Sequence, residues 1–321
     1  MDNVTSKDLE AIEVKLLSFL QDHYNDDSIE YRDRPQQIFA GFESRVYKFR
    51  LNIKDKTIHD FMILRINHPT YDQESFFYDT EVQKALALTS IPVAKVHVAS
   101  DDISIFNGSF VIMDCIAGHV MWEEAAEVVP SMLADTHVAI HNCDLRALKD
   151  YLGVQGYLDK CLFDPIGVAL ENLQIKDKSI EKWLYDNQPE LPNISICHGD
   201  FHPNNVLVKD KQVNGILDWH FSLGEAEHDV ALTVNILTIN SKLHVEESEW
   251  EKLDDFTDKY LRAYKKKRSL NPDKLDYYTV VHCLRDLGQG LKRGGKYRTA
   301  PYRVNKQLEL IEKITGIKLE L

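Results

Sequence analysis

Apolar residues change their period twice in the first third of the chain. Leu9, Ile12, Leu16, Leu17 and Leu20 recur at helical spacing behind Thr5, Ser6 and Asp8, which predicts an opening amphipathic helix. From Gln37 to Ile53 and from Phe61 to Ile66 the pattern turns to alternation with β-branched and aromatic residues, which predicts strands. A helix with an apolar stripe of Phe77, Val82, Ala85 and Leu86 is expected over Glu74 to Leu88. Two more strand-like runs follow, Lys95 to Ala99 and Ser109 to Met113, and Asp101, Asp102 and Asn107-Gly108 between them give a hairpin signal. Beyond residue 116 the pattern is mainly helical. Helices are expected at Ser131 to His141, Leu145 to Leu152, Ile166 to Leu173, Ile180 to Asn187, Val245 to Lys267, Asp273 to Lys292 and Tyr302 to Thr315.

One stretch, Ile196 to Phe221, interrupts the helices and concentrates the candidate chemistry. Val206 to Val208 and Val213 to Leu217 read as short apolar strands around the polar turn Lys209-Asp210-Lys211, and the resulting hairpin would return Asp218 toward Asn205. His198, Asp200 and Asn205 match the kinase catalytic-loop pattern His-x-Asp-x-x-x-x-Asn, with Asp200 as the acid/base residue. Phosphoryl transfer explains the combination: one carboxylate orients the attacking hydroxyl, while a carboxamide and a second carboxylate, Asn205 and Asp218, hold magnesium. Each residue alone is equally well a turn or strand-end residue; the three together point to the chemistry.

His-Gly-Asp-Phe-His-Pro-x-Asn-Val-Leu followed by Ile-Leu-Asp-Trp resembles the aminoglycoside phosphotransferase and choline kinase-like family, the small-molecule branch of the protein-kinase-like fold. The resemblance covers most of residues 35 to 235. It implies an α+β, bilobal protein with a small β-rich N-lobe at 1–115 that binds nucleotide. A larger, mainly helical C-lobe at 116–321 would then carry catalysis and acceptor binding. The turn Ala40 to Tyr47 sits where the family has a Gly/Ser-containing loop, so Ser44 becomes a candidate phosphate donor, although an ordinary hairpin turn accounts for the same residues. The strand Phe61 to Ile66 takes the place of the lysine strand, with Arg65 instead of lysine. A guanidinium also contacts phosphate, and Glu81 is its expected partner, with Glu74 as competitor. Met113 to Gly118 resembles the hinge, where main-chain groups from Asp114 to Ile116 would read the adenine edge; a plain linker fits the same residues. The family's histidine in a Leu-Ala-x-x-Leu-His helix is structural, and His141 is placed there. Its loop-bracing aspartate falls on Asp229, which an N-terminal helix carboxylate explains nearly as well. His198 fixes the loop rather than transferring a proton.

Composition narrows the reading. A chain of 321 residues with 44% hydrophobic content buries roughly 75% of its unfolded surface as one large domain or two lobes. Five scattered cysteines lack metal spacing and read as reduced thiols. No apolar run approaches the roughly 20 residues of a membrane span and the start lacks signal-peptide features, so a cytoplasmic location is expected. A net charge of -13 argues against nucleic-acid binding. Charge is uneven: Arg262 to Arg303 holds twelve Lys/Arg against three Asp, which leaves 26 basic against 48 acidic residues elsewhere. Glu225, Glu227 and Asp229 follow closely after Asp218, which suggests a neutral or cationic acceptor. The expectation is an ATP-dependent O-phosphotransferase, with GTP possible and Mg2+ required, acting on a small-molecule hydroxyl without nucleic-acid or membrane partners. Candidate acceptors are an aminoglycoside-like compound, an amino alcohol, a sugar or an amino acid. The alternative is a non-catalytic nucleotide-binding regulatory protein of the same fold.

Overall fold

A computed structural model describes residues 6–40, 44–52, 61–173, 178–190, 193–294 and 299–319. The chain divides into two compact units, 1–117 with 147–155, and 118–146 with 156–321. Asp114 N and Cys115 N donate to Lys95 O and Phe61 O within the first unit, at 3.0 and 2.9 Å.

The first unit opens with helix α1 (Ser6–Tyr24) and continues through β1 (Glu30–Ala40), β2 (Ser44–Asn52), β3 (Met62–Asn67), α2 (Gln73–Leu86), β4 (Val96–Ser100), the single turn α3 (Ile103–Phe106) and β5 (Phe110–Asp114). The strands form one antiparallel sheet in the order β1-β2-β3-β5-β4. Strand alternation sends Tyr47, Phe49, Met62, Leu64 and Ile112 to one face, where Ile12, Leu16 and Leu20 of α1 cover them in a single cluster. Deleting one such fully buried leucine costs about 2–5 kcal/mol. The hairpin expected between β4 and β5 forms, but its connection carries α3, started by Asp102, whose side chain accepts from Ser104 N, and ended at the left-handed Asn107. In α2, Asp72 caps the start by accepting from Ser75 N at 2.8 Å. Its buried stripe runs through Phe76, Thr80, Val82, Ala85 and Leu86, and Phe77, expected inside, is 39% exposed. The stripe is one residue out of phase because Thr80, a turn beyond Phe76, is buried with it.

The second unit contains β6 (His119–Val120), α4 (Val129–His141), α6 (Pro165–Leu170), α7 (Ser179–Asp186), β7 (Ser195–Cys197), β8 (Val206–Lys209), β9 (Gln212–Ile216), β10 (Ser222–Gly224), α8 (Ala226–Asn235), α9 (Trp250–Lys267), α10 (Pro272–Arg293) and α11 (Pro301–Thr315). Helix α5 (Arg146–Val154) interrupts it, since 147–155 group with the first unit. Helix α10 is the spine of its core: Tyr277, Tyr278, Val281 and Leu284 pack with Ile180 and Leu184 of α7, Ala231 of α8 and Ile311 of α11. Asn271 starts α10 by accepting from Asp273 N at 2.9 Å, with Pro272 in the first turn. Two expected helices are shorter. The run from Ile166 stops at Leu170, because Glu171 turns extended and Asn172 left-handed. The run expected from Val245 starts at Trp250, since Val245 is extended and a 3-10 turn, Glu247–Glu249, precedes it. Helix α8 continues into a π-helical turn, Ile236–Asn240.

Two small sheets hold the stretch between Ser195 and Gly224. Strands β6, β8 and β9 form one, and β10 pairs antiparallel with β7, with Ser222 opposite Cys197. Neither β6, β7 nor β10 is signalled by alternation, because runs of two or three residues carry no period. The β8–β9 turn is Asp210-Lys211, both at positive φ, 51° and 62°, the conformation of a two-residue type I′ hairpin, which favours glycine in second place. Lys211→Gly should therefore raise stability by about 0.5–1 kcal/mol. Urea unfolding measures it, and a loss of stability would contradict the turn assignment.

Candidate active site

The β8–β9 hairpin brings two of the expected residues together. Val206 pairs with Ile216, and Leu217 N donates to Asn205 O at 2.8 Å, so Asp218 follows directly beside Asn205. Asn205 is buried, and its Nδ2 donates to Asp200 O at 2.9 Å and to Asp200 Oδ2 at 3.3 Å. With Nδ2 so engaged, Oδ1 is the atom left to offer a cation. Asp218 sits at φ 54°, an uncommon conformation outside glycine, and its carboxylate makes no ion pair among the described residues. One carboxamide oxygen and one unpaired carboxylate form the hard-oxygen donor set that suits Mg2+.

His198 ties the two halves of this site. Its Nδ1 accepts from Asp200 N at 3.2 Å, so its proton resides on Nε2, which donates to Leu217 O, the carbonyl before Asp218, at 2.9 Å. Burial holds this imidazole at about 4, and it is neutral at neutral pH. With both ring nitrogens spent on backbone, His198 fixes the loop. Gly199 must be glycine: at φ 79°, a Cβ would lie 2.2 Å from His220 O.

Asp200 is set up to stay ionised. Burial pushes its carboxyl up, but the nearby His202, and then the charges of His220 and His198, bring it below its ordinary value. His202 Nε2 lies 3.6 Å from Asp200 Oδ2, and the Asp200 side chain keeps 37% of its surface exposed. A carboxylate that is charged, accessible and oriented has the properties of the acid/base residue.

Beneath the loop, Asp229 is fully buried at the start of α8. Its Oδ2 accepts from His198 N at 2.6 Å and its Oδ1 from Gly199 N at 2.9 Å. His137 Nε2 and His141 Nε2 also reach Oδ2, at 2.9 and 3.3 Å. The carboxyl is held well below its usual range: burial opposes ionisation, and His137 and His141 outweigh it. His141 is thus a core histidine with a defined job. Sequence reading passes over His137, Tyr260 and Tyr264, although the paired i,i+4 spacing of His137/His141 and of Tyr260/Tyr264 was there to find.

In the first unit, the β2–β3 register sets Ser44 opposite Asn67 and Val46 opposite Arg65, so Ser44 and Arg65 share one sheet face, the one turned away from α1. The rest of the turn that Ser44 closes, Gly41 to Glu43, lies outside the described residues. The expected Arg65–Glu81 pair is not found among the described residues. Arg65 Nε donates to Asn67 Oδ1 at 3.4 Å, while Glu81 takes Lys84 Nζ at 2.7 Å and the Tyr151 hydroxyl of α5 at 2.5 Å. The Asp114 carboxylate accepts from Lys95 N and contacts His97 Nε2 at 2.6 Å. Its own N–H is spent on Lys95 O, so the peptide of Ile116 is the part of this segment that lies outside the ladder.

The three carboxylates behind the expected acceptor charge have partners inside the second unit. Asp229 faces the loop from below, Glu225 is buried against Lys274 Nζ and the Tyr278 hydroxyl, and Glu227 Oε1 accepts from Asn271 N at 2.9 Å. Counting charges along the sequence cannot register that Glu225 is paired with Lys274 and that Asp229 is buried under the loop. Arg268, just past the end of α9, docks on His141 O and Ser195 Oγ, at 2.8 and 3.0 Å. All five cysteines are free thiols, and no helix among the described residues is long and apolar enough to cross a membrane.

Four buried imidazoles have a consequence for pH. Burial lowers His141 to about 3, His198 to about 4 and His228 to about 3, and lowers His282 as well. The unfolded chain takes up protons below its ordinary histidine value near 6.5 that the folded chain refuses, so stability is complete above that pH and falls as pH drops. Four protons bound only by the unfolded chain give a slope of at most about 5 kcal/mol per pH unit. Urea unfolding at pH 7 and pH 5.5 should show a large loss at the lower pH; equal stability would contradict neutral burial of these rings.

The sequence model of the phosphotransferase enzyme family (APH) matches residues 36–276, more than half of the chain. Among curated proteins, acyl-CoA dehydrogenase family member 11 of Mus musculus is 27% identical over 159 residues, 44% of this chain and 20% of that protein. Acyl-CoA dehydrogenase family member 10 of Mus musculus is 27% identical over 166 residues, 47% of this chain and 16% of that protein. The match therefore spans at most a fifth of these relatives' length. Among solved structures, a thermostable mutant of aminoglycoside phosphotransferase APH(4)-Ia, in ternary complex with AMP-PNP and hygromycin B, superposes with a TM-score of 0.58 at 17% identity, over 94% of this chain and 98% of that one. Macrolide 2′-phosphotransferase type I gives 0.56 at 14% identity over 100% of both chains. Those likenesses establish the protein-kinase-like fold. With the family match they lead to one conclusion: this chain belongs to the phosphotransferase enzyme family.

Proposed function

We propose that the protein moves the γ-phosphoryl group of ATP, with GTP as the other candidate donor, to a hydroxyl of a small molecule. The observation that carries this reading is the convergence of Asp200, Asn205 and Asp218 through the β8–β9 hairpin and the His198 bridge. Asp200 orients the acceptor hydroxyl and takes its proton at a carboxylate oxygen. Asn205 Oδ1 and the Asp218 carboxylate hold Mg2+, which when bound neutralises charge on the phosphate oxygens. His198 keeps the Asp200 peptide and the Leu217 carbonyl in register, so the base and the ligand pair move as one. Ser44 and Arg65, on one sheet face, are the phosphate contacts, with the main chain at Asp114 to Ile116 for the base. Glu81 acts on this face through its own engagement with Tyr151 rather than as a ready partner of Arg65.

Names of similar proteins support the substrate class. One solved neighbour holds AMP-PNP and hygromycin B and another is a macrolide phosphotransferase, which favours a nucleotide donor and a small hydroxylated acceptor. A neutral or cationic acceptor stays the expectation from the acidic balance of the chain outside Arg262 to Arg303. A non-catalytic nucleotide binder has no observation in its favour, because the base and both ligands are intact.

A screen of hydroxylated metabolites and aminoglycosides with ATP and magnesium, reading ADP release over an acceptor-free control, should find turnover. Asp200→Asn should cut that turnover by roughly 10²- to 10⁴-fold and leave ATP binding in place. Turnover near the wild-type rate would sink the role of Asp200. Asn205→Ala and Asp218→Asn should each weaken magnesium-supported nucleotide binding; titrations of nucleotide affinity against magnesium that match wild type for both variants would contradict the ligand pair.

A further inference from the structure

Helices α4 and α9 each present two polar side chains four residues apart, and the pairs meet one to one. The Tyr260 hydroxyl lies 2.7 Å from His137 Nδ1, and the Tyr264 hydroxyl lies 2.6 Å from His141 Nδ1. The opposite nitrogens of both rings converge on the single oxygen Asp229 Oδ2. His137, Tyr260, Tyr264 and Asp229 are wholly buried and His141 is 3% exposed, so water cannot replace any of these contacts. The carboxylate and neutral rings together set the proton assignments. An ionised Asp229 only accepts, so both Nε2 atoms carry hydrogen; with both rings neutral, each Nδ1 is a bare lone pair to which the facing phenol donates. Every ring nitrogen is thereby satisfied, and Oδ2 accepts three hydrogen bonds when that from His198 N is included.

We propose that Tyr260 and Tyr264 are positioning residues for phosphoryl transfer: by donating to His137 and His141 they hold both imidazoles as Nε2–H donors to Asp229, which in turn holds the His198 and Gly199 peptides that place Asp200. The inference rests on the reading of Asp200 as the acid/base residue. It assigns a task to α9, a helix remote in sequence from the loop. Arg268, just past the end of α9, bonds to the last carbonyl of α4 and to Ser195 on β7, the strand that leads straight into His198. Tyr260 and Tyr264 of α9 and the Arg268 that follows it thus hold α4, and Arg268 also holds the strand that enters the loop.

Removing one hydroxyl leaves an Nδ1 lone pair buried and undonated. The ring can recover a partner only by moving its proton to Nδ1, which turns a bare Nε2 toward the carboxylate. Asp229 then loses a donor and its grip on the two peptides slackens. Phenylalanine fills nearly the same volume as tyrosine, so the variants isolate the hydroxyl from the packing.

The experiment uses Tyr260→Phe, Tyr264→Phe and the double variant, with ATP and magnesium as the probe and water as the phosphoryl acceptor. ADP release gives kcat and the KM for ATP, and long-range 1H–15N spectra of the imidazoles report the tautomers of His137 and His141. Each single variant should lower kcat roughly tenfold, the scale expected when a reacting group is displaced by less than 1 Å. The KM for ATP should stay within about twofold, and the ring facing the lost hydroxyl should lose its pure Nε2–H signature. Single variants with wild-type kcat overturn the proposal even if their melting temperatures fall, since that is what a merely structural hydroxyl would do; unchanged tautomers also overturn it. The singles decide the matter if the double variant fails to fold. Asp200→Asn separates the two failures. If that variant is inactive while the tyrosine variants keep kcat, the positioning role is wrong; if Asp200→Asn is itself fully active, the reading of the loop is wrong.

Discussion

A carboxylate buried without solvent costs several kcal/mol unless every lone pair is answered, and the second unit is arranged around answering one. Asp229 is surrounded by the peptide N–H groups of His198 and Gly199 and the Nε2 atoms of His137 and His141. Those donors come from α4 and from the loop after β7, and the carboxylate from the first turn of α8, so one charge fixes three elements. The first-turn position also lets the helix dipole favour the negative charge. Because two of the donors belong to the loop that carries Asp200, the requirement that the charge be satisfied is also the requirement that the loop have one shape.

From that point the site assembles by short steps. The loop leaves β7, turns at Gly199 where a side chain would strike His220 O, presents Asp200, and enters β8 through Asn205. The hairpin returns the chain so that the Leu217 carbonyl meets His198 and the next residue is Asp218. Desolvation works in both directions here. It keeps His198 neutral, so that it can donate to one backbone group and accept from another, yet it is too weak at half-exposed Asp200 to overcome the neighbouring histidines.

Much of this geometry is readable from residues close together in sequence. The apolar alternation on either side of Lys209-Asp210-Lys211 is enough to pair β8 with β9, and the spacing from Asp200 to Asn205 to Asp218 does the rest. What the sequence hides is long-range partnership. Glu81 has the helix position of a lysine-strand partner, but Tyr151, seventy residues later, reaches it, and no local pattern announces that. Glu225, Glu227 and Asp229 look like an acidic rim when counted, and the structure spends them on Lys274, on Asn271 and on the loop itself. Tyr260 and Tyr264 sit on an amphipathic helix where aromatic residues read as ordinary core, and only the matching spacing of His137 and His141 hints at more. Two- and three-residue strands such as β6, β7 and β10 are below the length at which alternation exists.

The central claim is that Asp229 holds the catalytic loop in the folded protein, and native-state amide hydrogen exchange at His198 and Gly199 tests it most directly. Both amides are predicted to exchange only when the whole second unit unfolds, with the same free energy as the core amides of α10. Exchange at the rate of an exposed loop, with α10 still protected, would contradict the account, because it would mean that the loop opens without Asp229 letting go of anything.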